Sequence, residues 1–203
     1  MPLTRKGLFL IVAIIMLFIL STGLTLLTPW DDPTKLFIRV FALFGYLSLA
    51  LTTAITPFLV GIGRAFGKSF IKIHHIFSIF GIIFTTLHPA LIAIRALSAA
   101  IFVPRFDSWE IFWALAGRPA FIFLYIALAS AVFRRRTPKH WRLLHMLMYI
   151  VLFLGIVHAN LIGTDFQNIG IQILFNLLFV TSLVTFILKR YRNYVSRKRI
   201  RSM

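Results

Sequence analysis

Long uncharged stretches of apolar residues recur along the chain, separated by short polar connections. Six are visible, at 8–27, 41–62, 73–94, 119–133, 143–162 and 169–188. A helix needs about 20 apolar residues to cross a hydrocarbon core of about 30 Å, so the pattern predicts membrane-spanning α-helices. The stretch at 119–133 is the shortest. Residues 109–113, which precede this stretch, are alternatively predicted to lie flat in the membrane interface. The position at which the helix starts therefore stays open.

Composition supports this interpretation. Hydrophobic residues make up 60% of the 203 residues, above the roughly 45–50% of soluble globular proteins. The chain contains no cysteine, which excludes a disulfide framework, a thiolate metal site and an iron–sulfur cluster. The first stretch is too long for a signal peptide, whose apolar region has about 7–15 residues. We therefore predict an all-α integral membrane protein, a six-helix bundle forming a single domain over residues 1–203.

Charge is distributed very unevenly between alternate connections. Of 22 Lys and Arg residues, 17 lie before the first stretch, in every second connection and in the basic tail at 189–203. The remaining five share the opposite side with all five acidic residues. By the positive-inside rule both termini are cytoplasmic, and a prokaryotic inner or plasma membrane is expected. The net charge of +17 then faces anionic membrane lipid, and nucleic acid is not an expected partner.

All six histidines lie on the third or fifth stretch or at its cytoplasmic mouth: His74, His75, His88, His140, His145 and His158. Ionisable groups inside a membrane are costly and usually functional. His74 and His88 are 14 residues apart, about 21 Å along a helix, and His145 and His158 are 13 apart, about 19.5 Å. Each helix thus offers an inner and an outer imidazole. Two b-type haems, each held by one histidine from each helix, fit this pattern, whereas a closed zinc site needs about four converging ligands.

Helical rotation tests this pairing. In an ideal helix, two residues 14 positions apart, such as His74 and His88, point in directions about 40° apart. Two residues 13 positions apart, such as His145 and His158, point in directions about 140° apart. Gly155, three residues before His158, permits a kink or a local unwinding that would re-aim the ring of His158. His140 shares a face with His158 and is the alternative to His145, although Pro138 indicates that the helix is only starting there. His75 is likewise the alternative to His74.

The histidine motifs resemble the ferric-reductase-like transmembrane superfamily, which includes NADPH oxidases, yeast ferric reductases and the bacterial haem-binding subunit MsrQ. The resemblance rests on HHIF at 74–77, TLH at 86–88, KHWRLLH at 139–145 and IVH at 156–158. Asp32-Pro33, Thr56-Pro57 and Arg118-Pro119 are most similar to MsrQ. One departure is His74, because MsrQ generally has no histidine there, and in this respect the chain is more like the dihaem members.

The resemblance implies that His88 and His158 hold an outer haem and that His74 and His145 hold an inner one. It also implies an electron-transfer subunit that lacks its own flavin and nicotinamide domain. A cytoplasmic flavin reductase or a quinol would then donate electrons, with FMN or a quinone as a further cofactor at the cytoplasmic side. A periplasmic molybdopterin methionine sulfoxide reductase would be the acceptor.

Several cations lie close to the expected haem levels. Lys72 and Arg142 flank the inner pair, and Arg118 and Arg95 lie near the outer ends of their helices. Each has a suitable charge for binding a haem propionate. Ordinary positive-inside residues at the inner face and snorkelling side chains at the outer face are the alternative roles.

The leading hypothesis is an electron conduit from the cytoplasmic face to an extracytoplasmic acceptor. A ferric or oxygen reductase of the same superfamily is an alternative. A metal or haem transporter would use the same histidines as transient ligands, and a structural subunit would use them only to satisfy one another. A transporter is expected to have paired broken helices, which the sequence does not show clearly.

Overall fold

A computed structural model describes residues 3–136 and 138–201, with the side chains of 193 and 197–201 left out. The helices are α1 (Arg5–Leu27), α2 (Pro33–Ile55), α3 (Leu59–Phe66), α4 (Phe70–Ala96), α5 (Trp109–Ala114), α6 (Gly117–Val132), α7 (Trp141–His145), α8 (Leu147–Ile162) and α9 (Ile169–Arg201). Single 3₁₀ turns lie at Thr56–Phe58, Ala99–Phe102 and Thr164–Gln167. No β-strand occurs in the described ranges, so the all-α prediction is confirmed for them.

Five segments are long and apolar enough to cross a membrane: Arg5–Leu27, Pro33–Phe66, Phe70–Ala96, Trp141–Ile162 and Ile169–Ser196. They include five of the six stretches identified from the sequence. The sixth, Gly117–Val132, is apolar but has only 16 residues. The chain is therefore described as a helical membrane protein with five candidate spans in the described residues.

Helix α2 begins at Pro33, eight residues before the apolar stretch at 41. Asp32 caps it, because its carboxylate accepts a hydrogen bond from the backbone N–H of Thr34 at 2.7 Å, and Pro33 suits the first helical position. The two extra turns include the charged residue Arg39. Its charge is tolerated there because Asp165 neutralises it.

Helix α9 continues beyond the apolar stretch at 169–188 and runs to Arg201. Lys and Arg are good helix formers, so the basic tail extends the last span as a helix. Residues 202 and 203 and the side chains of 197–201, including the basic residues predicted to face the cytoplasm there, lie outside the described part of the chain.

Helix α2 lies at the centre of the bundle and packs against α4 on one side and against α8 and α9 on the other. It contributes to both buried apolar clusters, through Leu49 and Ala50 in one and Leu43 and Leu47 in the other. Its approach to α4 is close at Gly45, where an added Cβ would lie 2.7 Å from the backbone nitrogen of Thr85. Glycine therefore sets the distance between these two helices.

Three carboxamides join α8 to α9 close to the connection between these two helices. Asn160 exchanges hydrogen bonds of 3.2–3.3 Å with Asn176, and Gln172 donates to the side-chain oxygen of Asn160 at 3.3 Å. Hydrogen bonds of this kind commonly hold membrane helices together. These bonds join α8 to α9 directly.

Candidate functional site

The histidines lie on two helical segments that do not pack closely against each other. Helix α4 carries His74 and His88 and packs along α2, whereas α7 and α8 carry His145 and His158 and pack against α6. Imidazoles from the two segments therefore meet across a gap between α4 and α8, instead of being buried in a direct helix–helix contact. An open gap of this kind has room for a bound group.

At the end of this gap that is predicted to be cytoplasmic, called the inner end below, the rings of His74 and His145 lie close together. Their centroids are 6.3 Å apart and their planes are inclined at 62°. A metal–imidazole bond is about 2.0–2.1 Å long, so two imidazoles on one metal ion have ring centres about 6–6.5 Å apart. The observed spacing agrees with two imidazoles on one iron and equally with an edge-to-face contact between two rings, whose centroids are about 4.5–7 Å apart.

The break in the fifth stretch lies at Met146, directly after His145. The N–H of Met146 is shared between the carbonyls of Arg142 and Leu143 at 3.1 Å each, and Tyr149 donates to the carbonyl of Met146. These tight bonds wind the chain further per residue than an α-helix does, which reduces the offset of about 140° between the two histidines.

The local unwinding predicted as one possibility at Gly155 does not occur, and a kink there stays a prediction. Helix α8 is continuous from Leu147 to Ile162 and passes through this glycine. Instead, Gly155 gives room to the ring of Tyr46, which an added Cβ would meet at 3.3 Å. The Tyr46 hydroxyl donates a hydrogen bond to the carbonyl of Leu152 at 3.2 Å, which fixes the ring against α8.

Towards the opposite end, which is predicted to be extracytoplasmic and is called the outer end below, His88 and His158 line a cavity of about 450 Å³ between α2, α4, α6 and α8. This volume lies within the range of about 300–1,000 Å³ that is usual for ligand and cofactor sites. The wall is mostly apolar, with residues such as Leu49 and Phe121, and its polar groups include Arg118 and Asp165. The two outer histidines thus share one apolar chamber.

Three of the four candidate ligands are oriented by backbone carbonyls. The Nδ1 atoms of the imidazoles lie 2.9 Å (His88), 2.6 Å (His158) and 3.2 Å (His145) from the carbonyl oxygens of Ile38, Ala114 and Ala127, respectively. A carbonyl only accepts, so Nδ1 carries the proton and Nε2 keeps its lone pair. Metal-ligating histidines in proteins usually make this bond. The Nδ1 of His74 is buried without a hydrogen-bond partner among the described residues.

His75 and His140 differ from their neighbours in exposure. Both are exposed, whereas His74 and His145 are partly buried and face one another. The ring of His75 is 6.0 Å from that of His74 but lies beside it on the same helix. The geometry thus brings together His74 and His145 and leaves the two alternatives at the surface.

The predicted cations occupy different surroundings. Lys72 and Arg142 are exposed near the inner pair, and the guanidinium of Arg142 lies 5.5 Å from the ring centre of Trp141. Arg118 lines the outer cavity, where its Nη1 donates to the carbonyls of Ala100 and Val103 at 3.0 and 2.8 Å. Arg95 pairs with Asp32 instead of pointing into the cavity.

Four carboxylates on the outer side are paired with cations: Asp31 with Lys35, Asp32 with Arg95, Asp107 with Arg105 and Asp165 with Arg39. The hydrogen bond from Arg95, followed by that from the backbone of Thr34, holds the pKa of Asp32 below its usual value. Among the described residues, Arg118 is the outer cation without a carboxylate partner. It retains a positive charge at the cavity.

No protein family model, no curated protein and no solved structure matches this chain. Within the described residues, no group of three or more His, Cys, Asp or Glu is placed to hold a metal ion directly. The histidines are arranged in pairs, and a pair of axial imidazoles is what a haem iron accepts.

The outer pair lies in an apolar chamber that fits a haem, and the inner pair has the ring spacing of two imidazoles on one metal ion. The ring spacing of the inner pair, the free Nε2 atoms fixed by backbone carbonyls and the apolar outer chamber each agree with axial ligation of a flat apolar macrocycle. Lys72 and Arg142 make no contact that adds to this fit, and their role in cofactor binding stays a prediction. Arg118 is placed to face a bound anionic group.

Three site residues were missed by the sequence analysis. Gly117 lies directly against the imidazole of His158, and Arg39 and Asp165 form an ion pair in the wall of the outer cavity. A signal for the pair was present, since Asp165 is the single acidic residue between positions 111 and 203 and Arg39 lies close to an apolar stretch. Nothing in the sequence marks Gly117 as a neighbour of His158.

Proposed function

We propose that this protein is a membrane electron-transfer subunit that binds two b-type haems. The observation that carries the proposal is the pair of imidazoles from two separated helices, His74 and His145, whose ring centroids are 6.3 Å apart. This centroid spacing equals that of two imidazoles bound to one metal ion, and the two rings come from different helical segments. The second pair, His88 and His158, supports the same interpretation because both rings line one apolar cavity.

In this proposal His74 and His145 hold the inner haem and His88 and His158 the outer one. A haem held by two histidines would supply one-electron oxidation and reduction, and substrate would not bind its iron. The carbonyls of Ala127 and Ala114 orient the ligand rings and keep them in the tautomer that binds metal. Apolar walls exclude water, and Arg118 offers a positive charge to the outer propionates.

We further propose that Gly117–Val132 is a sixth span and that both termini are cytoplasmic. Ala114, just before α6, bonds to His158, and Ala127 within α6 bonds to His145. The two alanines are 13 residues apart, like the two histidines, so α6 follows the fifth span through the same depth in the opposite direction. The positive-inside distribution of charge supports the orientation.

The resemblance of the histidine motifs to the ferric-reductase-like superfamily supports the direction of electron flow. A cytoplasmic flavin reductase or a quinol is the proposed donor, and an extracytoplasmic acceptor such as a periplasmic methionine sulfoxide reductase is the proposed recipient, in a prokaryotic plasma membrane. With the cytoplasm negative, a full outward crossing of one electron is favoured by about 2.3 kcal/mol per 100 mV. Ferric chelates or oxygen are the alternative acceptors.

An absorption spectrum of the purified protein tests the proposal. We expect the sharp reduced bands of a low-spin b-type haem and a ratio of two haems per chain. Replacing all four candidate ligands with alanine is expected to abolish the bands, and replacing the exposed His75 and His140 is the matched control. A colourless protein that moves metal ions in vesicles would instead establish the transporter alternative.

A further inference from the structure

A buried ion pair lies in the wall of the outer cavity. The side chains of Arg39 and Asp165 are only 10% and 6% exposed. The Nε of Arg39 donates to both carboxylate oxygens of Asp165 at 3.0 Å, and its Nη2 also donates to this carboxylate. The guanidinium is thus held by a two-point contact, the strongest geometry available to an arginine and a carboxylate.

The pair joins three parts of the chain. Arg39 belongs to α2, Asp165 to the turn between α8 and α9, and the remaining donors of Arg39 reach the carbonyls of Thr25 and Pro29 at 3.1 Å. Both charged residues line the cavity that His88 and His158 share. The proposed function assigns no role to this pair.

We propose that Asp165 is a positioning residue of the outer site, which holds Arg39 in a neutral pair and thereby sets the electrostatic potential at the outer iron. The inference rests on the proposed function. The ion pair of Arg39 and Asp165 adds little net charge to the cavity. Either residue without its partner leaves an uncompensated charge in the buried cavity wall. Charges act over longer distances there than in water, because the surroundings screen them less.

The sign of the effect distinguishes this role from a structural one. D165N leaves the positive charge of Arg39 at the cavity, which favours the reduced iron and raises the midpoint potential of the outer haem. R39Q leaves the negative charge of Asp165 and lowers that potential. The double variant R39Q/D165N is neutral and returns the potential close to that of the parent. A pair that only fastened three segments would shift the potential in the same direction in both single variants.

The measurement is a redox titration of the purified holoprotein, followed by its visible absorption. The outer component is identified as the one that is lost in His88→Ala. The matched control is D32N, which removes a carboxylate from the Arg95 pair on the same side of the membrane, outside the cavity wall. Because this pair is more exposed, solvent and salt screen it, and we expect a much smaller shift.

R39K provides the second comparison should D165N fail to fold. Lysine keeps the charge of Arg39 but loses the two-point contact. The electrostatic role predicts a potential close to that of the parent for R39K and a lowered potential for R39Q. Equal shifts in R39K and R39Q, or shifts of one sign in D165N and R39Q, overturn the inference and leave the proposed function intact. A parent protein without haem overturns both.

Discussion

Gly117 lies directly against the imidazole of His158: a Cβ at position 117 would be 3.1 Å from Cδ2 and 3.2 Å from Nε2 of that ring. The ring is held from another direction by the 2.6 Å hydrogen bond between its Nδ1 and the carbonyl of Ala114. A glycine at the start of α6 thus gives the ring the space in which it adopts its orientation.

Gly117→Ala is therefore expected to displace the imidazole of His158. Ligand orientation by surrounding groups is worth about 10–100-fold in metal affinity, so we expect the outer haem to bind at least about tenfold more weakly. The inner haem should be retained. Gly61→Ala is the matched control, because an added Cβ there meets no atom within 4 Å. Haem titration of the apoprotein measures the difference, and equal affinities in the two variants would contradict this assignment.

Two comparisons, of His74 with His75 and of His145 with His140, test which histidines bind the inner haem. His74→Ala is expected to reduce the haem content from two to one per chain, because it removes the ring that faces His145. His75→Ala should leave two haems, since that side chain is exposed beside the pair. The same contrast is expected between His145→Ala and His140→Ala. Haem content measured against protein mass gives the answer, and a full complement in His74→Ala shows that the inner site is misassigned.

Much of the fold was predictable from hydrophobic pattern alone. Five of the six apolar stretches correspond to candidate spans, because a bilayer imposes a minimum length of apolar helix. The start of α2 was not predictable in this way. Arg39 limits the apolar stretch, and only the long-range partner Asp165 makes its charge compatible with the helix.

The site was predictable as far as the spacing of its histidines. The spacing of the histidines predicts two levels along each helix. An ideal α-helix, however, does not place His145 and His158 on the same face. The tight turn at Met146 has no sequence marker comparable to Gly155, which permits a kink or a local unwinding. The carbonyls that orient the rings are also invisible in the sequence, since every residue carries one.

Gly45→Ala is expected to destabilise the whole bundle. The added Cβ would lie 2.7 Å from the backbone nitrogen of Thr85, so α2 and α4 must separate. Overpacking of this kind typically costs about 1–3 kcal/mol. Thermal unfolding of the detergent-solubilised protein should show a lowered midpoint. Gly23→Ala, with no atom within 4 Å of the added Cβ, should unfold at the parental temperature or slightly above it, because alanine favours a helix more than glycine does. An equal loss in both variants would show that the close approach of α2 to α4 is not the cause.

The number of spans is testable with single cysteines, because the chain has none of its own. Ser69→Cys and Arg136→Cys lie in exposed connections on the side predicted to be cytoplasmic, and Phe106→Cys lies in the exposed connection between α4 and α5. An impermeant maleimide added outside sealed, right-side-out vesicles should label only Phe106→Cys. Labelling after the vesicles are opened shows that all three thiols are reactive.

This experiment decides whether α6 crosses the membrane. If Gly117–Val132 lies in the interface, residues 106 and 136 are on the same side, and both or neither are labelled from outside. If α6 crosses the membrane, the two residues are on opposite sides, and only one of them is labelled from outside. The helix would then cross with only 16 residues, about 24 Å of helix. We expect the second result, because the hydrogen bonds of Ala114 and Ala127 to the outer and inner histidines require α6 to span both levels.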